Sequence, residues 1–536
     1  MFIGAIASLT SRDLELAAAE MRNGQKVSNK KAWTVINNVE ALGNTVPLSN
    51  QQRYVMRRNA FGMIIWNGQP AIWLTVNPDD VGNPLCLRVA GVSIPKNLPA
   101  KLRKHLQRTI ITNDPVSAAR FFKIIVDAFI KNIVRVGDPK GGIFGPCDSY
   151  FATTEASGRG ALHLHCLIWL AGNVGLEELS KRMGEDEKFS ALVITYLEEI
   201  IVQSLNIMDD NGDGPLLERT VDPDSAEFEA NLVIDSNLVA ARFNRHRHTS
   251  TCQKYKSGER SCRFGAPWKL IDKSYRDENG NINLHRNDPY VNKWNPVMAS
   301  VLRCNHDVKF IPGKSSFLGL VYYITDYATK ISKPLYHTFS IAAGLVPSSR
   351  SEESERAADE EEDSKSSRRF LLRVFNKISV AREISGPEIG NVLIGQPEFY
   401  TNVKFTTMSY NSLYAEMIEM FPHLRADTLD QDGYHSATVS ILDSRTATDR
   451  FADYKYRGSV LENVCLYDYS SIVYTSPLPN TLAGGNSESL IRFSDGHPLH
   501  KRLAQRIYQS RKDFRVIAFS GQKPLSGAEG ELEEER

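Results

Sequence analysis

The sequence predicts an α+β fold, with a central antiparallel sheet flanked by helices. Short apolar runs bounded by turn residues indicate strands. After Asp114-Pro115, apolar residues recur at intervals of three and four, which predicts an amphipathic helix over about 116–136. At 536 residues the chain is too long for one ordinary core, so about two to four domains are expected.

The predicted elements follow in chain order. Residues 11–60 are expected to be mostly helical. Further on, a long helix is predicted from about Glu177 to Leu205 and another over 370–378. The predicted strands are 63–66, 71–76 after a turn at Asn67-Gly68, 150–155, and 161–170 after a turn at 157–160.

The domain organisation follows from shifts in composition. An acidic, serine-rich stretch is expected to be a disordered linker, and the acidic C-terminal end a disordered tail. The predicted segments are a helical N-terminal segment 1–60, a main domain 61–345 with a possible zinc-binding insertion 240–270, a linker 346–369, a smaller C-terminal α+β region 370–515 without an assigned role, and a tail 516–536.

Composition narrows the class and the compartment. Apolar residues make up 42% and charged residues 24% of the chain, as in globular proteins. The net charge of +1 gives no support for nucleic-acid binding from bulk charge, so a basic surface must be local. Neither a signal peptide nor a membrane span is predicted. Seven cysteines in so long a chain indicate a reducing compartment rather than a disulfide framework.

The segment Ala161–Leu170 carries the first chemical signal. On a strand, His163 and His165 project from the same face and can bind one metal ion together. If the preceding turn is centred on Arg159, Glu155 lies opposite His163 on the neighbouring strand. Two imidazoles and one carboxylate with open positions suit Mg²⁺ or Mn²⁺. A shift of one residue would turn Glu155 to the other face.

A second signal lies in residues 321–330. If this segment is a helix, Tyr323 and Tyr327 lie one turn apart, and Lys330 lies on the same face. The lysine could stabilise a phenolate or hold a phosphate. The alternative is that the tyrosines only pack in the core and at its rim.

A third signal combines histidine and cysteine. His248, Cys252 and Cys262 are candidate zinc ligands, with Cys304 or His306 as the fourth. The alternative is a pair of buried thiols beside a basic loop whose arginines, Arg242, Arg245 and Arg247, contact DNA phosphates without a metal. Arg159 is a further candidate for DNA contact.

These motifs, in this order, resemble the replication-initiator-like nuclease of Helitron rolling-circle transposons, often called the Helitron helicase-like domain. The resemblance extends over roughly residues 30–340. Two positions depart from the family pattern: Ser157 stands where glutamine is common, and Leu162 where proline is common. The motifs that carry the resemblance are Trp73–Asp80, Glu155–Trp169, Asn292–Pro296, Cys304–Val308 and the segment Tyr323–Lys330.

The resemblance implies an HUH nuclease-like sheet, named for the His-hydrophobic-His motif. It also implies metal-dependent cleavage of single-stranded DNA by Tyr323 or Tyr327, with a 5′-phosphotyrosine link and strand transfer. It favours zinc at His248, Cys252 and Cys262. A nuclear location is expected. A separate helicase is an expected partner, since no helicase motif follows the nuclease motifs.

Three functions remain open from the sequence. The first is an active nicking and strand-transfer enzyme, which the intact histidine and tyrosine pairs favour. The second is a decayed or domesticated Helitron-derived module that binds DNA without catalysis, which the missing helicase favours. The third is a zinc-stabilised scaffold.

Overall fold

The computed structural model covers the whole chain and describes most of it. The described residues are 9–25, 27–42, 46–95, 98–157, 160–172, 175–206, 222–249, 252–256, 259–278, 280–311, 335–346, 368–374, 376–378, 384–409, 413, 450–478 and 490–520.

The chain divides into two compact units. The first comprises Met1–Arg57 and Gln69–Thr401, and the second comprises Arg58–Gly68 and Asn402–Arg536. Both units combine helices and strands, so the predicted α+β class is confirmed.

The first unit is built around a five-stranded sheet in the order β8-β1-β3-β2-β9. Each neighbouring pair in it is antiparallel, as predicted for the central sheet. Its strands are β1 Ile72–Asn77, β2 Cys147–Ala156, β3 Leu162–Leu170, β8 Asn305–Phe310 and β9 Phe399–Thr401.

One face of this sheet forms the main core. Strand residues such as Leu74, Leu164 and Cys166 share a cluster of buried apolar side chains with helix residues such as Phe122 and Ile125. The helix is Pro115–Ala128, and the side chain of Asp114 caps it by accepting a hydrogen bond from Ser117 N–H at 3.0 Å. Because side chains alternate across a strand, the residues between these positions face the other side.

The remaining elements of the first unit surround the sheet or form small hairpins. The helices Ser11–Arg22 and Lys30–Leu42 pack with Leu335–Ala343 in a separate apolar cluster. The other helices are Asn50–Asn67, which reaches into the second unit, Pro84–Val89, Ala100–Asn113, Leu176–Glu185, Glu187–Ile200, Phe228–Phe243, Pro296–Leu302 and Gly386–Leu393. The hairpin strands are β4 Gln253–Lys256, β5 Glu259–Cys262, β6 Tyr275–Arg276 and β7 Ile282–Asn283.

The second unit contains two small sheets. One pairs β10 Lys404–Ser409 in parallel with β14 Arg515–Ser520. The other has the order β11-β13-β12 and consists of Val473–Pro477, Leu503–Ile507 and Ile491–Arg492. The helices of this unit are Arg450–Lys455 and Leu466–Ile472, with the end of Asn50–Asn67.

The predicted strand over 63–66 is wrong, because these residues continue the helix Asn50–Asn67. Met56, Ala60 and Met63 are all buried, and their spacing of four and three is that of a helix face. The apolar run Met63–Trp66 is therefore the end of a helical pattern rather than a strand.

Three other boundaries differ from the predictions. The single helix over 177–205 is two helices, because Asp186 ends the first and its side chain caps the second through Phe189 N–H. Strand β9 belongs to the central sheet rather than to a separate C-terminal region. Residues 516–520, expected in a disordered tail, lie in strand β14. Residues 347–367 of the expected linker lie outside the described residues.

Within the described parts of the chain, every helix is too short or too polar to traverse a lipid bilayer.

Candidate metal-binding sites

Three side chains of metal-ligand type meet on the sheet face opposite the main core. Glu155 on β2 lies directly opposite His163 on β3, so the predicted register is confirmed. The turn produces this register: Ser157 N–H donates to the carbonyl of Ala161 at 2.8 Å, and Gly160 has φ +85°, a conformation that favours glycine.

The three ligand atoms converge. The distance from Glu155 Oε2 is 3.1 Å to His165 Nε2 and 3.3 Å to His163 Nε2. Adjacent ligands of an octahedral ion with bonds near 2.1 Å are about 3 Å apart, so these side chains fit one divalent cation. Two nitrogens and one oxygen also leave further positions for water or a phosphate oxygen.

The protonation states suit metal binding. Burial by itself raises the pKa of Glu155, but hydrogen bonds from His163 and His165 outweigh it and lower the pKa to about 2. The carboxylate is therefore ionised at neutral pH. Burial lowers the pKa of His165, which favours the neutral imidazole that a metal requires. Glu155, His163 and His165 are 8%, 9% and 6% exposed.

Two residues of β1 hold His165 in place. Thr75 Oγ1 lies 3.1 Å from His165 Nδ1, and the ring of Trp73 stacks on the imidazole with centroids 5.1 Å apart. With a metal on Nε2, the neutral ring would carry its proton on Nδ1, from which it can donate to Thr75 Oγ1. In contrast, His163 Nδ1 is buried without a hydrogen-bond partner among the described residues. Thr75 lies in the predicted strand 71–76, next to core residues, but its role was not predicted.

A second group of candidate ligands, the Cys/His cluster, lies in the hairpin region of β4 and β5. It consists of His246, His248, Cys252 and Cys262, and their ligand atoms are all within 4.8 Å of one another. The Cys252 sulfur lies 3.5 Å from His248 Nδ1, and the Cys262 sulfur lies 3.4 Å from His246 Nε2. Ligands of a tetrahedral zinc ion with bonds of 2.0–2.3 Å are about 3.5 Å apart. The set therefore fits zinc with two sulfur and two nitrogen ligands.

Backbone N–H groups contact the sulfur atoms of both cysteines, and those around Cys262 favour its thiolate. Thr249 N–H donates to the Cys252 sulfur at 3.1 Å. Burial by itself raises the pKa of the Cys262 thiol, but hydrogen bonds from the backbone N–H groups of residues 264–266 and from Cys252 lower it below its ordinary value. A thiolate is the form of cysteine that binds zinc.

Neither Cys304 nor His306, predicted as the fourth ligand, lies in this cluster, and His246 takes that place in it. His306 is fully buried, where Nε2 accepts from Asn295 N–H at 2.9 Å and Nδ1 lies 3.1 Å from the carbonyl of Cys304. Both ring nitrogens of His306 are thus engaged within the core. Cys304 belongs to the main apolar core. The pattern His246-Arg247-His248 repeats the His-x-His spacing of β3 and could have indicated the fourth ligand.

The remaining predicted site residues divide into two groups. Arg245 and Arg247 are exposed beside the Cys/His cluster, and Arg245 Nε forms an ion pair with Asp288 at 3.0 Å. The other predicted residues lie outside the described part of the chain: Tyr323, Tyr327, Lys330 and Arg159.

The fold and its first cluster define a class: an α+β protein with a candidate divalent-metal site on an antiparallel sheet. Residues 3–168 match the family described as the Helitron helicase-like domain at the N-terminus, which confirms the resemblance in this part of the chain. The matched range contains Glu155, His163 and His165. No curated protein matches the chain. This part of the chain is therefore similar to a Helitron domain.

Proposed function

We propose that this protein nicks single-stranded DNA and transfers strands through a tyrosine–DNA covalent intermediate, as in rolling-circle Helitron transposition. The observation that carries the proposal is the convergence of Glu155, His163 and His165 on one face of the sheet, within the residues that match the Helitron domain. Mg²⁺ or Mn²⁺ at this site would polarise a phosphodiester oxygen of the bound strand.

The residues around this site have separable tasks. Glu155 supplies an ionised oxygen ligand, because its pKa is about 2. His163 and His165 supply two nitrogens from alternate positions of one strand. Thr75 orients His165 by its contact with Nδ1. Because all three ligand side chains are buried, they are held in position before a phosphate arrives, which lowers the reorganisation needed for reaction.

The nucleophile in this proposal is the phenolate of Tyr323 or Tyr327. Its oxygen forms a bond to phosphorus while the bond from phosphorus to the 3′ oxygen breaks. The leaving 3′ oxygen takes up one proton, so the products are a 5′-phosphotyrosine and a free 3′-hydroxyl. Lys330 would offset the negative charge that develops on the phosphoryl group. The second tyrosine permits transfer to another strand.

We further propose a structural zinc at the Cys/His cluster, with single-stranded DNA contacted by Arg159, Arg245 and Arg247. A separate helicase would open the duplex, and the protein would act in the nucleus. A second candidate function is a Helitron-derived module that binds DNA without cutting it. The Cys/His cluster and its exposed arginines favour that alternative, because they can hold DNA without any nuclease chemistry.

The decisive experiment tests for a covalent protein–DNA adduct. The full chain is incubated with labelled circular single-stranded DNA and Mn²⁺, then separated under denaturing conditions. We expect a labelled protein band that is absent without metal. Tyr323→Phe and Tyr327→Phe should each leave part of the adduct, and the double variant should leave none. Tyr322→Phe, a matched change on another face of the predicted helix, should have no effect.

Each other outcome identifies a different function. DNA binding without an adduct in the wild-type chain would establish the non-catalytic module. Nicking by the double variant with free product ends would identify water as the nucleophile and a plain metal-dependent hydrolase.

A further inference from the structure

The second unit carries a small sheet whose two faces differ sharply. One face of β11-β13-β12 packs on the apolar core of this unit through Val473, Ile491 and Ile507. On the same face, the buried Gln505 accepts a hydrogen bond from Tyr469 Oη at 3.0 Å. Because strand residues alternate, the neighbours of these residues lie on the opposite, outer face.

The outer face combines aromatic rings with arginines. The rings of Tyr474 and Tyr508 stack, with centroids 4.6 Å apart and an angle of 26° between their planes. Arg506 is the direct cross-strand partner of Tyr474, and Arg492 lies on the same face two strands away. Arg515 Nε donates to Tyr508 Oη at 2.9 Å. The two tyrosines remain partly exposed, and Arg492 and Arg515 are exposed.

The segment 490–520, which supplies most of this face, is strongly positive although the whole chain is nearly neutral. Residues 490–520 contain seven lysines and arginines but only two acidic residues, whereas the net charge of the chain is only +1. A local excess of this kind is the electrostatic signature of a surface that attracts a polyanion. Stacked aromatic rings between the basic residues add the second requirement for binding unpaired bases.

We propose that this outer face, formed by Tyr474, Arg492, Arg506 and Tyr508 and flanked by Arg515 of β14, binds single-stranded DNA. The arginines would pair with phosphates, and an unpaired base would stack against the tyrosine pair. A duplex presents phosphates but hides its base faces, so the surface favours a single strand. This inference rests on the proposed function in one respect: the proposed function is the reason for naming DNA rather than RNA as the single strand.

The experiment measures binding to the full chain by fluorescence anisotropy, with a labelled oligothymidylate and with EDTA to prevent cleavage. Tyr474→Leu with Tyr508→Leu keeps apolar bulk but removes both rings. We expect this double variant to bind about 10-fold or more weakly, as for loss of a base–aromatic stack. Tyr474→Phe with Tyr508→Phe keeps the rings and should bind like the wild type. Tyr275→Leu, an exposed tyrosine of the first unit, is the matched control.

The arginines are tested by the salt dependence of binding. Arg492→Gln with Arg515→Gln should lower the slope of log affinity against log salt by about 0.7 for each phosphate that is no longer neutralised. Arg108→Gln, an exposed arginine of the first unit, should leave the slope unchanged. Ultraviolet crosslinking of an iododeoxyuridine strand to the wild-type chain should label a peptide containing Tyr474 or Tyr508, and this readout needs no variant.

Several results would overturn the proposal. The first is a double leucine variant that binds with wild-type affinity. The second is an equal loss of affinity in the double leucine and double phenylalanine variants. The third is crosslinking confined to peptides of the first unit. Tighter binding of a duplex or of an RNA strand of the same length would also reject single-stranded DNA as the ligand. Because binding is measured without metal, failure of nicking leaves this test intact. Adduct formation with unchanged binding in the variants would reject this surface alone.

Discussion

The two candidate metal sites of the first unit both contain a pair of histidines, but they differ in their other ligands and in the number of coordination positions they leave open. Glu155, His163 and His165 are buried on adjacent strands, offer no sulfur and leave coordination positions open. The Cys/His cluster is held by loops and a short hairpin and supplies a full set of four ligands, two of them thiols. An open oxygen–nitrogen site suits an exchangeable Mg²⁺ or Mn²⁺ that contacts a substrate, whereas a closed sulfur–nitrogen site suits structural zinc.

Treatment with a chelator should give the largest difference between the two sites, because they are expected to hold their metals with very different affinities. Brief treatment with EDTA is expected to abolish the covalent DNA adduct, and added Mn²⁺ should restore it, while zinc stays bound because structural zinc binds far more tightly. Adduct formation and zinc content are measured on the same sample. Loss of zinc together with an activity that Mn²⁺ cannot restore would contradict the distinction.

Removal of one sheet ligand should have the next largest effect. His163→Ala should reduce adduct formation by at least about 100-fold, because metal stabilisation of the reacting phosphate is worth several kcal/mol. Zinc content should not change. His105→Ala, the same substitution at an exposed helix position, is the control. If His163→Ala lowered thermal stability and activity in parallel, His163 would be a core residue rather than a ligand.

An effect of intermediate size is expected from substitutions that test the identity of the fourth zinc ligand. Changing a group that only contacts a metal ligand typically weakens metal binding by roughly 10- to 100-fold. His246→Ala removes a ligand itself and should therefore weaken zinc binding by more than this. It should have little direct effect on the Mn²⁺ dependence of nicking. His306→Ala should leave zinc content unchanged but lower the unfolding temperature, because it removes a fully buried side chain. The reverse pattern, measured by elemental analysis and thermal unfolding, would restore His306 as the ligand.

The smallest effect is expected from Thr75, which contacts His165 rather than the metal. Thr75→Val keeps the shape but removes the hydroxyl, and should raise the Mn²⁺ concentration for half-maximal nicking by about 10-fold. Thr75→Ser should recover most of the loss. A change in the maximal rate without a change in Mn²⁺ dependence would show that Thr75 does not act through the metal site.

The local parts of these sites could be predicted from the sequence. Alternation along a strand places His163 and His165 on one face, and a short turn places Glu155 opposite His163. Both features depend only on neighbouring residues and their backbone geometry. The helix after Asp114 was likewise predictable, since its apolar spacing and its cap are local signals.

Tertiary structure decided the features that join distant parts of the chain. The run 63–66 could have formed a strand or a helix, and burial of Met63 in line with Ala60 selected the helix. His246 and His306 are both plausible ligands by spacing, but only the packing of the core engages both nitrogens of His306. The local pattern of the sequence therefore determined which residues share a face. Which distant segments met was decided by long-range burial and hydrogen bonding, which no short window of residues contains.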